Sequence, residues 1–230
     1  MLWKKLAVPA AVLLAALLTG CATPTKMAMS ENPAAKPSQD NAVYLMTATI
    51  KNAYKPSFQP DLLVTHFEKN GGATSADRIN FVMDELAKDK NDAAKDGHSY
   101  LLRFELDKGK YNLRGMTAMA NAFIVIGNFF IPLHQELNAN EPGLYYLGHV
   151  QADVRERQGN EFRAGPPIPL IDQAATGASG GTFDVAIQDA WETDEAKFRK
   201  RFPGLADQII HKAILPPFDR AAAQKWWEDH

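Results

Sequence analysis

Residues 100–115 read YLLRFELDKGKYNLRG. Tyr100, Leu102, Phe104 and Leu106 alternate with Leu101, Arg103 and Glu105. After Asp107-Lys108-Gly109-Lys110 the alternation resumes, with Tyr111 and Leu113 set against Asn112 and Arg114. A period of two sends successive side chains to opposite faces of a strand. Two such runs joined by a short polar stretch predict a β-hairpin, with Gly109 supplying the positive φ that a tight turn commonly requires.

The same period recurs outward in both directions. From Asn41 to Ile50, Tyr44, Met46, Ala48 and Ile50 share one face, and Val43, Leu45, Thr47 and Thr49 the other. Apolar residues on both faces predict a central strand. Pro56 and Pro60 break the chain, Asp61 to Glu68 is a further strand, and Asn70-Gly71-Gly72 turns it. Ile79 to Leu86 fits a strand or a short helix, and 88–97 is a charged loop. Glu141-Pro142-Gly143 opens a long run in which Leu144, Tyr146, Gly148, Val150, Ala152 and Val154 alternate with Tyr145, Leu147, His149, Gln151, Asp153 and Arg155. After a Pro- and Gly-rich segment, Phe183 to Ile187 is a short strand.

The period then changes. Glu192 to Phe202 reads as a helix, with Phe198 and Phe202 four apart and Thr193 or Asp194 as its cap. Pro203-Gly204 ends it. Leu205, Ile209 and Ala213 suggest a second short helix, and Asp219 to Trp227 a third. Strands at even spacing followed by helices predict a mainly β fold, an antiparallel β-sandwich over 41–190 with a helical segment, 191–230, packed on it.

Three runs carry a resemblance: FELDKGKYNLRG (Phe104 to Gly115), EPGLYYLGHVQ (Glu141 to Gln151) and FDVAIQDAWETDEAKFRKRFPGL (Phe183 to Leu205). They resemble a group of Gram-negative lipoproteins and, beyond them, transthyretin-like and immunoglobulin-like β-sandwiches. The shared features are turns and strand faces, so the resemblance implies a sandwich and no catalytic residue.

The N-terminus points the same way. Lys4 and Lys5 precede an apolar run from Leu6 to Leu18. As a helix this run is about 20 Å long, short of the roughly 30 Å hydrocarbon core, so it reads as a signal peptide rather than a permanent span. It ends in Leu18-Thr19-Gly20-Cys21, which resembles a lipobox. That implies cleavage between Gly20 and Cys21, a thioether-linked diacylglycerol on Cys21 and a further acyl chain, such as palmitate, on the new N-terminus. Two or three chains make an anchor stable where one does not. Ala22 stands where an inner-membrane retention signal has Asp, so the expected location is the outer membrane, with the domain facing the periplasm. Residues 21–40, rich in Ala, Pro and Ser, are expected to be a flexible tether reaching at most about 60 Å.

Composition narrows the function. The formal charge is −2, and loss of Lys4 and Lys5 with the signal takes it to about −4, against a nucleic-acid partner. Lipidation of the lone cysteine leaves no disulfide. The six histidines lack ligand spacing, and no metal or other cofactor is expected. His149 stands out because it lies mid-strand. Ser179, within Gly177-Ala178-Ser179-Gly180-Gly181, precedes a strand, whereas a nucleophile elbow turns from strand to helix. The acids Asp184, Asp189, Glu192, Asp194 and Glu195 do not have the spacing of a calcium loop. Trp226 and Trp227, beside Lys225, suit a membrane, a glycan or helix packing.

The run from Gly115 to Leu133, GMTAMANAFIVIGNFFIPL, has no charge. It could be a buried segment, a contact for a partner or lipid, or a membrane span. Phe123, Ile124, Val125, Ile126, Phe129 and Phe130 are therefore the expected interaction surface. The expected function is a lipid-anchored binding or scaffolding protein with an envelope partner. An envelope hydrolase with a pocket near His149 or Asp184, or a carrier with an apolar cavity for lipid, are the alternatives.

Overall fold

The computed structural model describes residues 24–72, 74–89, 97–122, 124–166 and 171–229. The signal, with Gly20 and Cys21, and Phe123 lie outside the described residues. The strands are β1 (Pro24–Thr25), β2 (Ala42–Asn52), β3 (Asp61–Lys69), β4 (Arg78–Val82), β5 (His98–Leu106), β6 (Lys110–Ala122), β7 (Val125–Asn138), β8 (Gly143–Glu156), β9 (Gly181–Gln188) and β10 (Ile210–Lys212). The helices are α1 (Ile171–Ala175), α2 (Trp191–Arg201) and α3 (Arg220–Asp229).

Two sheets pack face to face. One runs β1-β4-β3-β6-β7 and the other β10-β8-β2-β5, with β9 also on β8. Both are mixed rather than wholly antiparallel: β2 and β10 lie parallel to β8, and β1 parallel to β4. Between the sheets sit Tyr44, Met46, Leu102, Phe104, Leu113, Met116, Phe129, Ile131, Val150 and Phe183 among others. Phe67, Phe81 and Phe104 meet there with ring centroids 4.9–5.5 Å apart.

The two runs expected to form a hairpin are strands, but they do not pair with each other. β5 pairs with β2, whereas β6 pairs with β3 and β7. The 107–109 stretch carries the chain from one sheet to the other. Each run has one strongly apolar face, and burial is satisfied when those faces oppose each other across the core. The period of two specifies the face of a strand and leaves its neighbour open. Gly109, at φ 158°, is close to extended.

A second apolar cluster lies on the far face of the second sheet. Ala28, Val43, Leu45, Leu101, Leu144, Tyr146, Phe198, Phe202 and Leu205 form it, beneath α2 and residues 27–35. α2 carries Glu192 and Asp194 in its first turn and Arg199, Lys200 and Arg201 in its last, as the helix dipole favours. Its N-cap is Ala190, so Thr193 and Asp194 lie inside the first turn rather than at the cap. The expected second helix is instead a 3-10 turn, Pro203–Leu205, followed by β10, and Ile209 is exposed. Residues 191–230 are thus partly woven into the sandwich.

The expected tether is also docked from Pro24 onward. Pro24 pairs with Asn80 and Thr25 with Phe81. Met27 and Ala28 are buried. Gly204 N–H donates to Pro33 O over 3.1 Å, and a Cβ at Gly204 would lie 1.9 Å from Ala35 O, so only glycine permits this crossing. A segment poor in large apolar residues is held here by backbone groups and by one arginine.

That arginine is Arg103, fully buried on β5. Its Nε donates to Ala28 O and its Nη1 to Leu101 O, each at 2.9 Å. Its Nη2 donates to the Asp84 carboxylate, and its guanidinium lies 4.2 Å from the Phe202 ring centroid. Burial pulls its pKa down against the opposing pull of Asp84, yet arginine starts so high that it stays charged. Arg103→Met should destabilise the fold by about 3 kcal/mol in urea denaturation, because it leaves Asp84 and the Ala28 carbonyl unpaired. A loss below about 1 kcal/mol would contradict a linking role for this residue.

Candidate functional site

β8 does not keep one alternation along its length. Leu45 pairs with Tyr146 and Thr47 with His149, so two residues of β8 oppose one of β2. Gly148 forms this bulge at φ 105°, and a Cβ on it would lie 2.9 Å from Gln188 O. The extra residue brings Tyr146 and His149 to one face, with Thr47, under α2.

There they meet Asp194. Thr47 Oγ1 and Tyr146 OH both donate to Asp194 Oδ2, the tyrosine over 2.6 Å. Lys197 Nζ lies 3.6 Å from the other oxygen. The Thr47 hydroxyl has one proton and gives it to Asp194. His149 Nδ1, 2.9 Å from Thr47 Oγ1, is therefore the donor in that bond. Burial lowers the His149 pKa, with Asp194 pulling the other way. Burial, then Asp194, raises that of Tyr146. The direction of proton donation decides the chemistry. A histidine base needs to accept the hydroxyl proton of a nucleophile, and here that proton faces the carboxylate. The cluster acts as a polar pin between α2 and the sheet.

The other acids of the 184–195 stretch are apart. Asp184 binds Arg155 and Arg220 (2.9 and 2.5 Å), Asp189 binds Lys212 (2.8 Å) and Glu195 binds Arg199 (2.8 Å). Arg155 also binds Glu161, whose carboxyl is held down to about 2 by that pairing. Among the described residues no group of acids, histidines or cysteines is arranged to hold a metal. Ser179 lies in the turn before β9, its backbone N–H donating to Gln173 O.

The uncharged run is the β6–β7 hairpin, and the strand period splits its residues. Phe129 is buried between the sheets with Met116, Ala118, Ile131 and Leu133. Phe130 is half-buried on the outer face, its ring 5.3 Å from that of Trp226. Val125 is half-buried, while Ile124 and Ile126 are exposed at the tip. Phe129 therefore cannot contact a partner, and among the described residues the surface expected from sequence reduces to Ile124 and Ile126 at the tip, with part of Val125 and, on the outer face, part of Phe130. No described helix is long and apolar enough to cross a membrane.

A second place was not legible in the sequence. On the outer face of β4, β3 and β6, a cleft of about 410 Å³ is lined by His66, Glu68, Arg78, Asn80, Arg114, Phe130 and Trp226, with Phe67 at its base. A bulge at Arg114 in the β3–β6 ladder accompanies its projection beside Glu68, with which it forms an ion pair. Arg78 Nε lies 3.9 Å from the other Glu68 oxygen. His66 is held between Asn80 Oδ1 (2.8 Å) and Thr117 Oγ1 (2.7 Å). Trp226 of α3 roofs the cleft, 6.0 Å from Arg114 and 5.2 Å from the His134 ring. His134 takes a left-handed φ of 50°, at the irregularity where β7 passes Arg114. The one signal in the sequence was the Trp226-Trp227 pair: Trp227 packs on the core, and Trp226 reaches the cleft.

Comparison of the chain with protein-family models, with curated proteins and with solved structures gave no match.

The His149 pin makes a prediction with a definite sign. A histidine whose folded pKa lies below its ordinary 6.5 binds its proton more readily in the unfolded chain. Stability should thus fall as pH drops through about 6.5, until the folded pKa is passed. His149→Asn keeps an amide donor for Thr47 and removes the titration. Its thermal midpoint should decline less than that of the wild type between pH 7.5 and 5, and parallel pH curves would refute the assignment.

Proposed function

We propose that the protein is a lipid-anchored binding protein of the cell envelope, held at the outer membrane through Cys21 with its domain in the periplasm and joined to an envelope partner. The observation that carries the reading is the spacing between the lipobox-like Leu18-Thr19-Gly20-Cys21 and the first paired residue. Pro24, three residues after Cys21, is in register with Asn80. Three peptide links reach at most about 11 Å. An acylated Cys21 would therefore hold the domain against the bilayer surface rather than on a long tether.

The topology supports a partner on the opposite side. Pro24 is level with Asn80, His66 and Gly115 across the first sheet. β1 runs parallel to β4, which lies antiparallel to β3, as β3 does to β6, so the chain enters from the end opposite the β6–β7 tip. From Gly115 to Ala122 the strand rises roughly 23 Å. Ile124 and Ile126 would then face away from the membrane, where a periplasmic partner can reach them. Exposed isoleucines facing solvent contribute nothing to the core, and contact with a partner gives them an apolar environment.

Two measurements test the proposal. Cys21→Ala should abolish metabolic labelling with palmitate and move the protein from the membrane to the soluble fraction; wild-type protein without acyl label would overturn it. Ile124→Asp with Ile126→Asp should remove at least one partner captured by the wild type after crosslinking in cells, with thermal stability unchanged. Identical capture by both proteins would remove the tip from the interface.

A further inference from the structure

The cleft beneath Trp226 differs from the other polar clusters in the balance of its hydrogen-bonding groups. His66 has both ring nitrogens engaged, by Asn80 and Thr117. The Glu68 carboxylate already faces Arg114 on one oxygen and Arg78 on the other. Among the described residues, Arg114 uses only Nη1 in a hydrogen bond, and Arg78 makes its single long contact through Nε. Asn80 presents Oδ1 to His66, which leaves its Nδ2 without a partner among the described residues. The groups still available are thus almost all donors, and two of them are guanidinium forks. Two arginines against one glutamate leave an excess positive charge, and Arg78 is 64% exposed, open to a ligand. Phe130 and Trp226 supply an apolar wall beside these donors.

Donor forks beside an aromatic wall suit an anion that carries an apolar portion. The position of the cleft selects the source of that anion. Asn80, on its rim, is the residue that pairs with Pro24, so the cleft begins one strand spacing, about 4.8 Å, from the start of the described chain. With Cys21 acylated, as in the anchored reading on which this choice of source rests, the cleft would sit at the depth of the lipid headgroups.

We propose that this cleft binds the phosphate of a membrane phospholipid headgroup. Arg114, Arg78 and Asn80 Nδ2 receive the phosphate oxygens, and Trp226 and Phe130 lie against the glycerol and the first acyl methylenes. Glu68 orients the two guanidinium groups, and His66 orients Asn80. The anchor and the cleft would then fix the domain on the membrane in one orientation, with the hairpin tip outward.

The test uses the full lipidated protein purified in an uncharged maltoside detergent, titrated with short-chain dihexanoyl-phosphatidylglycerol while Trp fluorescence is followed. Inorganic phosphate and uncharged dihexanoylglycerol are the comparison ligands. The phospholipid should bind saturably, at least tenfold more tightly than inorganic phosphate or dihexanoylglycerol. Arg114→Met should weaken it at least tenfold. Arg78→Met, at an exposed position where folding is not at issue, should weaken it several-fold. Equal affinity for inorganic phosphate and phospholipid would overturn the lipid source. Equal affinity for dihexanoylglycerol, or unchanged binding in Arg78→Met, would overturn the phosphate assignment. The titration is independent of palmitate labelling at Cys21, so failure of the cleft and failure of the anchor are read separately.

Discussion

A fully buried guanidinium is the constraint on which the arrangement of this protein depends. Removing such an ion from solvent costs several kcal/mol, and only charge-assisted bonds on several sides offset it. Arg103 obtains them from pieces of chain far apart in sequence: Ala28, Asp84, Leu101 of its own strand and the ring of Phe202. None of these can withdraw without leaving part of a buried charge unsatisfied. The contact at Ala28 converts a segment that composition alone would leave free into part of the fold. The contact at Phe202 holds the end of α2 on the second sheet.

Holding residues 27–35 in place has a functional consequence. In the proposed anchored state a loose linker would let the domain roam tens of ångströms from the membrane, whereas docking from Pro24 onward places the fold three residues after Cys21. In that proposal the end of the first sheet at which β1 begins is the near side, and the β6–β7 tip is the far side. The proposed anchor, cleft and partner surface then form a single axis along the first sheet. In that proposal, stability at Arg103 and orientation at the membrane would be linked through the same backbone segment.

Both polar clusters sit where a strand departs from its period. The bulge at Gly148 sets Tyr146 and His149 on one face, which a regular strand would not do for residues three apart. The bulge at Arg114 accompanies the outward turn of a cation beside Glu68 and beneath Trp226. Bulges re-aim side chains at a local cost in pairing, which is why such places are hard to find by counting alternate residues. The reading of 144–155 as one uninterrupted alternation put His149 on the face of Leu147 and missed its meeting with Asp194. Nothing in the spacing of Glu68, Arg78 and Arg114 announces that three strands bring them together.

By itself the sequence determined the class of the fold and the positions of most strands. Period two is a local property, set by the geometry of a single extended chain, and it survives in β2, β5 and β9 and, on either side of their bulges, in β3, β6 and β8. It also determined α2, through the spacing of Phe198 and Phe202 and the break at Pro203-Gly204. Which strand lies beside which was decided only in three dimensions, because the hydrogen bonds of a ladder carry no side-chain identity. So β5 and β6 face each other across the core instead of pairing, and the uncharged 115–133 run divides into a buried row containing Phe129 and an exposed tip at Ile124 and Ile126. The docking of 24–40 was likewise a tertiary decision: its long-range bonds include backbone pairs at Pro24, Thr25, Ala28 and Pro33, and the Arg103 side chain that reaches Ala28 lies some seventy-five residues away, on β5.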